Sequence, residues 1–474
     1  MKIFLIECLA NIIKIFFVYK IFSFVGIILG IPLTYIIFTT YHFLMQKIFN
    51  LEYLSFDKSL IGYCSRDQYN INLIMFFEGN FNQDEIKKAI EERLINQIPK
   101  LHSRVVYKFF NYYWKEFTPN EAMKQIFFTS LKTKDDIDYY LEKHLNFRIN
   151  TLETFPFEIR IIEFTEKTDS TSGAIHFKFD HILSDGLGLL SLCFCLCDDY
   201  SPEIYPKILR IKYSYSFIRE ILDTILFPLF SFYVLFVIIT SSNERTEYKP
   251  MYNYHHYGIS RFKMSDWYPL NSMKKLRSKY SVSFNTCVVG ILLKVHKELL
   301  ENINYLNVII PCGHTTLPLT VKDVKLKNLA QGFMMCLPCI KDFRELSQLH
   351  KTINSHIFNT TLTSIPILAF RMLSEFLPVK ILNFIGNNII FKADILISNI
   401  PGPESRLKVC GCEMVDCYPV VSPGRMKAFF TISSFNGYFR YIAAFDKSVK
   451  YDLNDFMNEI NEIMNEINSI EIVD

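Results

Sequence analysis

The stretch from Ile175 to Gly186 constrains this chain more than any other. Up to Phe179 it alternates: Ile175, Phe177 and Phe179 fall on one face, His176, Lys178 and Asp180 on the other. A period of two marks a strand with one face buried. His181 continues the parity of the apolar face, so it is expected at the strand's end and aimed inward, with Asp180 pointing the opposite way. Ser184-Asp185-Gly186 supplies a turn and a helix cap before Leu187 to Cys197, which reads as a helix. An inward histidine at a strand end, followed by a tight turn, suits a general base.

With 474 residues the chain can bury two or three cores. Aromatic residues make up 15% of it, which argues against disorder. A net charge of only +3 and the lack of any dense Lys/Arg block argue against a nucleic-acid partner. The mean hydropathy of +0.15 is high for a soluble enzyme and points to membrane contact.

The twelve cysteines are scattered. Cys193, Cys195 and Cys197 alternate within the expected helix, a spacing that spreads them around its surface. Cys410 and Cys412 flank Gly411. Neither group has the paired CxxC spacing of a zinc site, so no metal is expected, and free thiols in a reducing compartment are the simpler reading. His255-His256 lacks metal partners at useful spacing. No GxSxG elbow, phosphate-binding loop or GxGxxG fingerprint occurs, which disfavours a serine hydrolase, an NTPase or a dinucleotide-dependent oxidoreductase.

Between Lys20 and Lys47 lie 26 residues without Lys, Arg, Asp or Glu, more than the ~20 that cross a bilayer as a helix. The segment Ile3 to Tyr19 before it is also apolar. No cleavage signal is evident, so residues 1–46 read as an uncleaved membrane anchor, which Gly26, Gly30 and Pro32 either kink or fold into a hairpin. Thr224 to Asn243 is a second charge-free run of 20 residues. A true span there would put the halves before and after it on opposite membrane faces. A re-entrant or interfacial segment is therefore favoured, with a buried core helix as the alternative.

The rest reads as folded domain: residues 47–215, then the apolar insert 216–249, then 250–474. Strands are expected at Ile71–Glu78, Leu101–Phe110, Phe157–Phe164, Ile259–Met264, Leu306–Pro311, Phe333–Leu337 and Ile395–Ile400. Phe429–Phe435 and Phe439–Phe445 flank Asn436-Gly437, a hairpin signal. Helices are expected at Asp84–Ile98, Trp267–Lys279, Cys287–Leu300 and along Leu453, Phe456, Ile460, Ile463 and Ile467. Both halves mix the two element types, which predicts an α/β (α+β) chain of two related sandwiches.

The spacing His181-x-x-x-Asp185-Gly186 resembles the HxxxDG motif of the CoA-dependent acyltransferase superfamily. Further on, Ser398-Asn399-Ile400-Pro401-Gly402-Pro403 resembles the SNxPGP-type segment of the wax ester synthase/diacylglycerol acyltransferase (WS/DGAT) family. Tyr418-Pro419, Ser433 to Gly437 and Ala444-Phe445-Asp446 follow that family's order and spacing. Phe284-Asn285-Thr286 falls where the family opens a helix with Asn-Asp, and Asn328 to Pro338 resembles its Asn-to-Leu-Pro strand region. The likeness runs from about residue 65 to 470. It departs at Asp180, where the family writes a first histidine, at Thr286 in place of Asp, and at Gly313-His314, where the family has an Arg.

That resemblance implies two chloramphenicol-acetyltransferase-like domains with the active site at their interface. It implies an acyl-CoA-dependent O-acyltransferase esterifying a long-chain alcohol or diacylglycerol, with His181 as general base. Asp185 and Gly186 would be structural. Asn285 would either donate a hydrogen bond to the oxyanion or simply cap its helix. Ser398 and Asn399 would either line the substrate tunnel or serve the turn. Acyl-CoA is a co-substrate, no bound cofactor is needed, and the partners are a lipid alcohol and the membrane. The expected location is the endoplasmic reticulum, with the catalytic domains facing the cytosol. Two alternatives remain: a catalytically silent lipid-binding or scaffold protein of the same fold, and a short-chain alcohol acetyltransferase.

Overall fold

The computed structural model describes residues 2–54, 70–109, 111–166, 170–204, 260–299, 303–312, 318, 320–324, 326–328, 331–358, 377–382, 393–424, 426–449 and 452–469. Thr224–Asn243, His255-His256 and Gly313-His314 lie outside the described residues. Two mixed sheets, each with its own apolar core, form the body of the chain.

The first sheet is built on β2 (Asn70–Glu78) and β7 (Thr171–Asp180), which pair antiparallel along their whole length. β6 (Phe157–Phe164) pairs with β7 as the expected hairpin, and β5 (Ile126–Leu131) adds in parallel at the edge. All ten residues of β7 are buried, so the expected single buried face is corrected. The reason is the helix α3 (Ile137–Leu145), which brings polar partners to the strand's other side. His176 Nε2 lies 3.0 Å from Asn72 Oδ1 and its Nδ1 2.9 Å from the Tyr140 hydroxyl. Its ring also meets that of His144 edge-on. Lys178, Glu158 and Arg160 complete this layer, Arg160 holding Glu158 at 2.6 Å. Alternation therefore records two chemistries along the strand, both of them buried.

The second sheet runs β11 (Gln331–Pro338), β10 (Tyr305–Cys312), β12 (Ile395–Ile400), β15 (Ala428–Phe435), β16 (Tyr438–Asp446) and β8 (Ser260–Met264). β12 is parallel to both neighbours. β15 and β16 pair through the Asn436-Gly437 turn, both of whose residues take positive φ. The helices α6 (Phe284–Leu299) and α8 (Leu453–Asn468) pack together on this sheet. Leu453, Phe456, Ile460, Ile463 and Ile467 are all buried there, so the 3,4 spacing marks a core stripe.

One strand joins the two bodies. β14 (Cys412–Val421) comes from the second half of the chain yet pairs with β2 of the first sheet, with the short β13 (Lys408–Val409) at its edge. At the register shift of β14, Asp416 takes the guanidinium of Arg440 from β16 at 3.0 Å, with both side chains nearly sequestered from solvent. Arg440 also stacks 3.7 Å above Trp267.

The helix that begins at Gly186 ends at Phe194, short of Cys197. Cys193, Cys195 and Cys197 are all buried, which corrects the expectation that they spread around a helix surface. Burial pushes the Cys195 thiol up to about 12 and raises the other two as well. The described cysteines are free thiols. Asp198, just beyond, accepts from the backbone N–H groups of Cys410 and Gly411 and pairs with Arg93 at 2.7 Å. The Cys410-Gly411-Cys412 turn is thus a carboxylate-gripped link between the halves.

The N-terminal element α1 (Lys2–Phe49) is helical except at Gly26, with φ 75 and ψ 171, a conformation open essentially to glycine alone. There the chain doubles back. Lys14 lies 6.0 Å over the Phe38 ring, and a Cβ at Gly30 would collide with the ring of Phe22. Of the two outcomes the glycines allowed, the structure takes the hairpin. Both bases dock on a small sheet of β1 (Leu51–Tyr53), β3 (Ser103–Lys108) and β4 (Asn111–Glu116). His42 stacks on Tyr53 at 3.6 Å from the second arm. Glu7 from the first arm accepts the Val379 N–H at 3.3 Å. Burial first, and then the Glu7 carboxylate, raises the phenols of Tyr107 and Tyr112.

The polar layer under β7 predicts an acid-side weakness. Burial, then the charges of Arg160, Lys178 and Lys143, pushes the His144 imidazole down to about 3 from an unfolded value of 6.5. The folded protein therefore keeps it neutral while the unfolded chain takes up a proton below pH 6.5. This contribution is intact above pH 6.5 and is lost progressively down to about pH 3, at up to about 1.4 kcal/mol per pH unit. The stability gap between the wild type and His144→Gln, measured by chemical unfolding, should narrow as pH falls from 7 to 4; a gap that stays constant contradicts this account.

Candidate active site

β7 delivers His181 to the turn Asp180–Leu183, where the first sheet ends against the second body. Its imidazole is partly exposed, and Nδ1 sits 2.9 Å from Asn328 Oδ1, a residue 147 positions further along the chain. An amide oxygen only accepts, so this bond puts a proton on Nδ1, and the neutral form of the ring then presents its lone pair at Nε2. A ring held in this way is ready to take a proton at Nε2.

The turn around it is built from the motif itself. The Asp180 carboxylate folds back to accept the Ile182 N–H at 2.9 Å, and the Asp180 carbonyl accepts from Leu183 N. Asp180 thus shapes the turn that carries His181. Ser184 Oγ donates to the Lys327 carbonyl at 3.1 Å. Lys100 Nζ donates to the carbonyl of Leu326. Asp185 is the N-cap of α4 (Gly186–Phe194) and accepts from Gly188 N at 2.9 Å, the cap geometry its sequence position suggests. The Gly186 backbone faces Ile400 at the end of β12, where an added Cβ would lie 3.6 Å from the isoleucine methyl. The segment 326–328 therefore clasps one side of the turn, and β12 meets the start of its helix.

On β12, Asn399 donates from Nδ2 to Asn285 Oδ1 at 2.7 Å. Asn285 lies in the first turn of α6, but Ser283 Oγ accepts the Thr286 N–H at 3.1 Å. Serine thus supplies the cap proposed for Asn285, and the asparagine is left paired with Asn399. Ser398 lies beside Asn399 on β12, partly buried, and pairs in register with Thr431. The Pro401-Gly402-Pro403 turn locks onto the hairpin of β15 and β16. Gly402 N donates to Ser434 Oγ at 3.1 Å, and Pro403 O accepts from Asn436 N at 3.0 Å. A side chain at Gly402 would overlap the Ser434 carbonyl oxygen. Thr286 is buried, and its hydroxyl lies 2.8 Å from His350 Nδ1, which ties α6 to the helix α7 (Leu346–Phe358).

His181, Asp185, Gly186, Asn285, Ser398 and Asn399 thus occupy two adjoining clusters, joined through the Gly186–Ile400 contact. Sequence reading missed the histidine's partner. Asn328 stood at the head of a motif region, but nothing in its spacing linked it to a residue so far away. Among the described residues, no group of three His, Cys, Asp or Glu side chains could hold a metal ion.

Two sheets joined by a crossing strand form a fold similar to that of solved acyltransferase and condensation-domain structures. Residues 350–468 match the family model of the WS/DGAT C-terminal domain. The chain is similar in structure to the wax ester synthase/diacylglycerol acyltransferase from Marinobacter aquaeolei VT8, at 16% identity and a TM-score of 0.56, covering 85% of this chain and 94% of that one. It is also similar to the trichothecene 15-O-acetyltransferase from Fusarium sporotrichioides, at 9% identity and a TM-score of 0.63, covering 88% and 95%. A third similar structure is the starter condensation domain of rhizomide synthetase in complex with C8-CoA, at 10% identity and a TM-score of 0.58, covering 89% and 98%. No curated protein matches the sequence. At these identities the structural likeness defines the fold, and the match to the WS/DGAT C-terminal domain covers residues 350–468.

The Gly402 contact gives a stability test. Gly402→Ala should cost about 2–3 kcal/mol, because the methyl meets a backbone oxygen that cannot rotate away. Thermal unfolding in detergent checks this, and an unchanged midpoint contradicts the packing described.

Proposed function

We propose that this protein is an acyl-CoA-dependent O-acyltransferase in which His181 Nε2 is the general base. The observation that carries the reading is the bond from His181 Nδ1 to Asn328, which orients the imidazole from the opposite body at the junction. The match of residues 350–468 to the WS/DGAT C-terminal domain supports acyl transfer as the reaction class. An imidazole can take a proton at one ring nitrogen and then return it, which suits both halves of the proton transfer.

In this mechanism Nε2 removes the acceptor's hydroxyl proton as its oxygen attacks the thioester carbonyl. The tetrahedral intermediate collapses, the C–S bond breaks, and the departing thiolate takes the proton back from His181. Asn328 stabilises the imidazolium that forms between these steps. Asn285, its amide oxygen occupied by Asn399, keeps its own amide N–H for the oxyanion. Asp185 and Gly186 hold the turn, and Ser398 and Asn399 line the approach from β12. No resident metal or prosthetic group is required.

The acceptor in this reading is a long-chain alcohol or diacylglycerol, and the product a wax ester or triacylglycerol. The support is the apolar N-terminal element: Ile6–Gly26 is long and apolar enough by length and composition to cross a membrane. We place the catalytic body on the cytosolic face of the endoplasmic reticulum, where acyl-CoA and lipid alcohols meet and free thiols such as those described here persist.

Membranes containing the full chain should form ester from labelled palmitoyl-CoA and a lipid alcohol. His181→Ala should lower that rate by about 10²–10⁴-fold while the circular dichroism spectrum is retained. Unchanged activity in the folded variant refutes the assignment. A preference for acetyl-CoA over palmitoyl-CoA would move the protein to the short-chain alcohol acetyltransferases.

A further inference from the structure

The Lys2–Phe49 hairpin settles a topology that its sequence left open. As one straight helix its 48 residues would reach ~72 Å, long enough to pass a bilayer and leave its N-terminus on the far side. The turn at Gly26 prevents this. Residues 14 and 38 face each other, as do 22 and 30, and Glu7 and His42 both contact the body of the protein. Beyond those docking points the arms stand free and apolar. Ile12, Ile13, Phe16, Phe24 and Ile36 are all more than half exposed, and Phe24 near the tip is 89% exposed. So large an unpartnered apolar surface calls for a nonaqueous neighbour.

The two lysines of the first arm set the depth. The Cα of Lys20 lies six residues from the apex, or ~9 Å along the helix. Helical side chains lean toward the N-terminus, which here means back toward the protein body. The Lys20 ammonium lies 5.4 Å from the Phe16 ring centre, one turn nearer that body. The charge therefore sits between ~9 and ~15 Å below the tip, within half the ~30 Å thickness of a hydrocarbon core. Lys14 is further out still. From Ile21 through the second arm no charged residue occurs before Lys47.

We propose that this hairpin is a monotopic wedge, its tip buried in a single lipid leaflet and both of its ends on the same face as the catalytic body. It enters and leaves one leaflet, with the lysines snorkelling to the headgroups. Such a wedge can sit equally well in a bilayer or in the phospholipid monolayer over a neutral-oil phase, where a spanning helix has no second aqueous side to reach. The inference is independent of the proposed chemistry, because its test reads no activity.

The full chain with a lysine-containing N-terminal tag, in sealed microsomes, is treated with a membrane-impermeant amine reagent, and peptides are read by mass spectrometry. The tag is compared with Lys87 and Lys88, on the helix next to β2. Both should be labelled, or both protected, until detergent is added. Protection of one and labelling of the other overturns the proposal. The same protein should float with phospholipid-coated triolein droplets. Phe24→Asp, at a side chain this exposed, should lower the floated fraction by about tenfold or more with the fold unchanged. Failure of the wild type to float, an unaffected variant, or a detergent-free soluble oligomer that hides the hairpin overturns it as well.

Discussion

The buried pair between Arg440 and Asp416 is the interaction on which the arrangement of this molecule depends. A lone buried charge is costly, so each side chain needs the other, and they stand on strands of different sheets. The pair holds β14 against β2 while leaving its neighbours in the second body. With that crossing fixed, the end of β7 is fixed too, since β2 pairs with both strands. The position of His181 is thus set by strands on both sides of a charge pair that it never touches.

Around that frame the junction is assembled from short polar contacts. Leu326 and Lys327 supply carbonyl oxygens to Lys100 and Ser184, and Asn328 supplies its side chain to His181. On the other side the Pro401-Gly402-Pro403 turn leaves β12 and closes onto the β15–β16 hairpin, so that Asn399 reaches Asn285. Neither body contains the candidate site by itself. The residues of the HxxxDG and SNxPGP segments are close because both backbones are pinned at the strand ends next to the junction.

Much of this was legible in the sequence wherever information is local. The strand ending at Asp180, the Asn436-Gly437 hairpin, the strand Ile395–Ile400 and the C-terminal amphipathic helix follow from periodicity and turn chemistry alone. What escaped is long-range. Nothing in Cys412–Val421 announces that it pairs with the other half of the chain, and nothing near Asn328 announces a histidine 147 residues away. The polar face of β7 misled for a related reason: His176 and Lys178 read as solvent-facing, because alternation cannot tell water from a buried layer of Asn72, Tyr140 and Glu158. Asp180, read from strand parity as pointing away from the His181 side, turns its carboxylate onto the backbone of the turn itself.

The Asn328 contact has one more consequence. If His181 is the base, its tautomer is dictated by a residue belonging to the opposite body, so chemical competence becomes a property of assembly. Separating the bodies by a small hinge would free the ring to rotate while every helix and strand stayed intact. Such a molecule would lose its chemistry well before it lost its structure, and a partly assembled chain emerging from synthesis would stay inert toward thioesters until its last strands had docked.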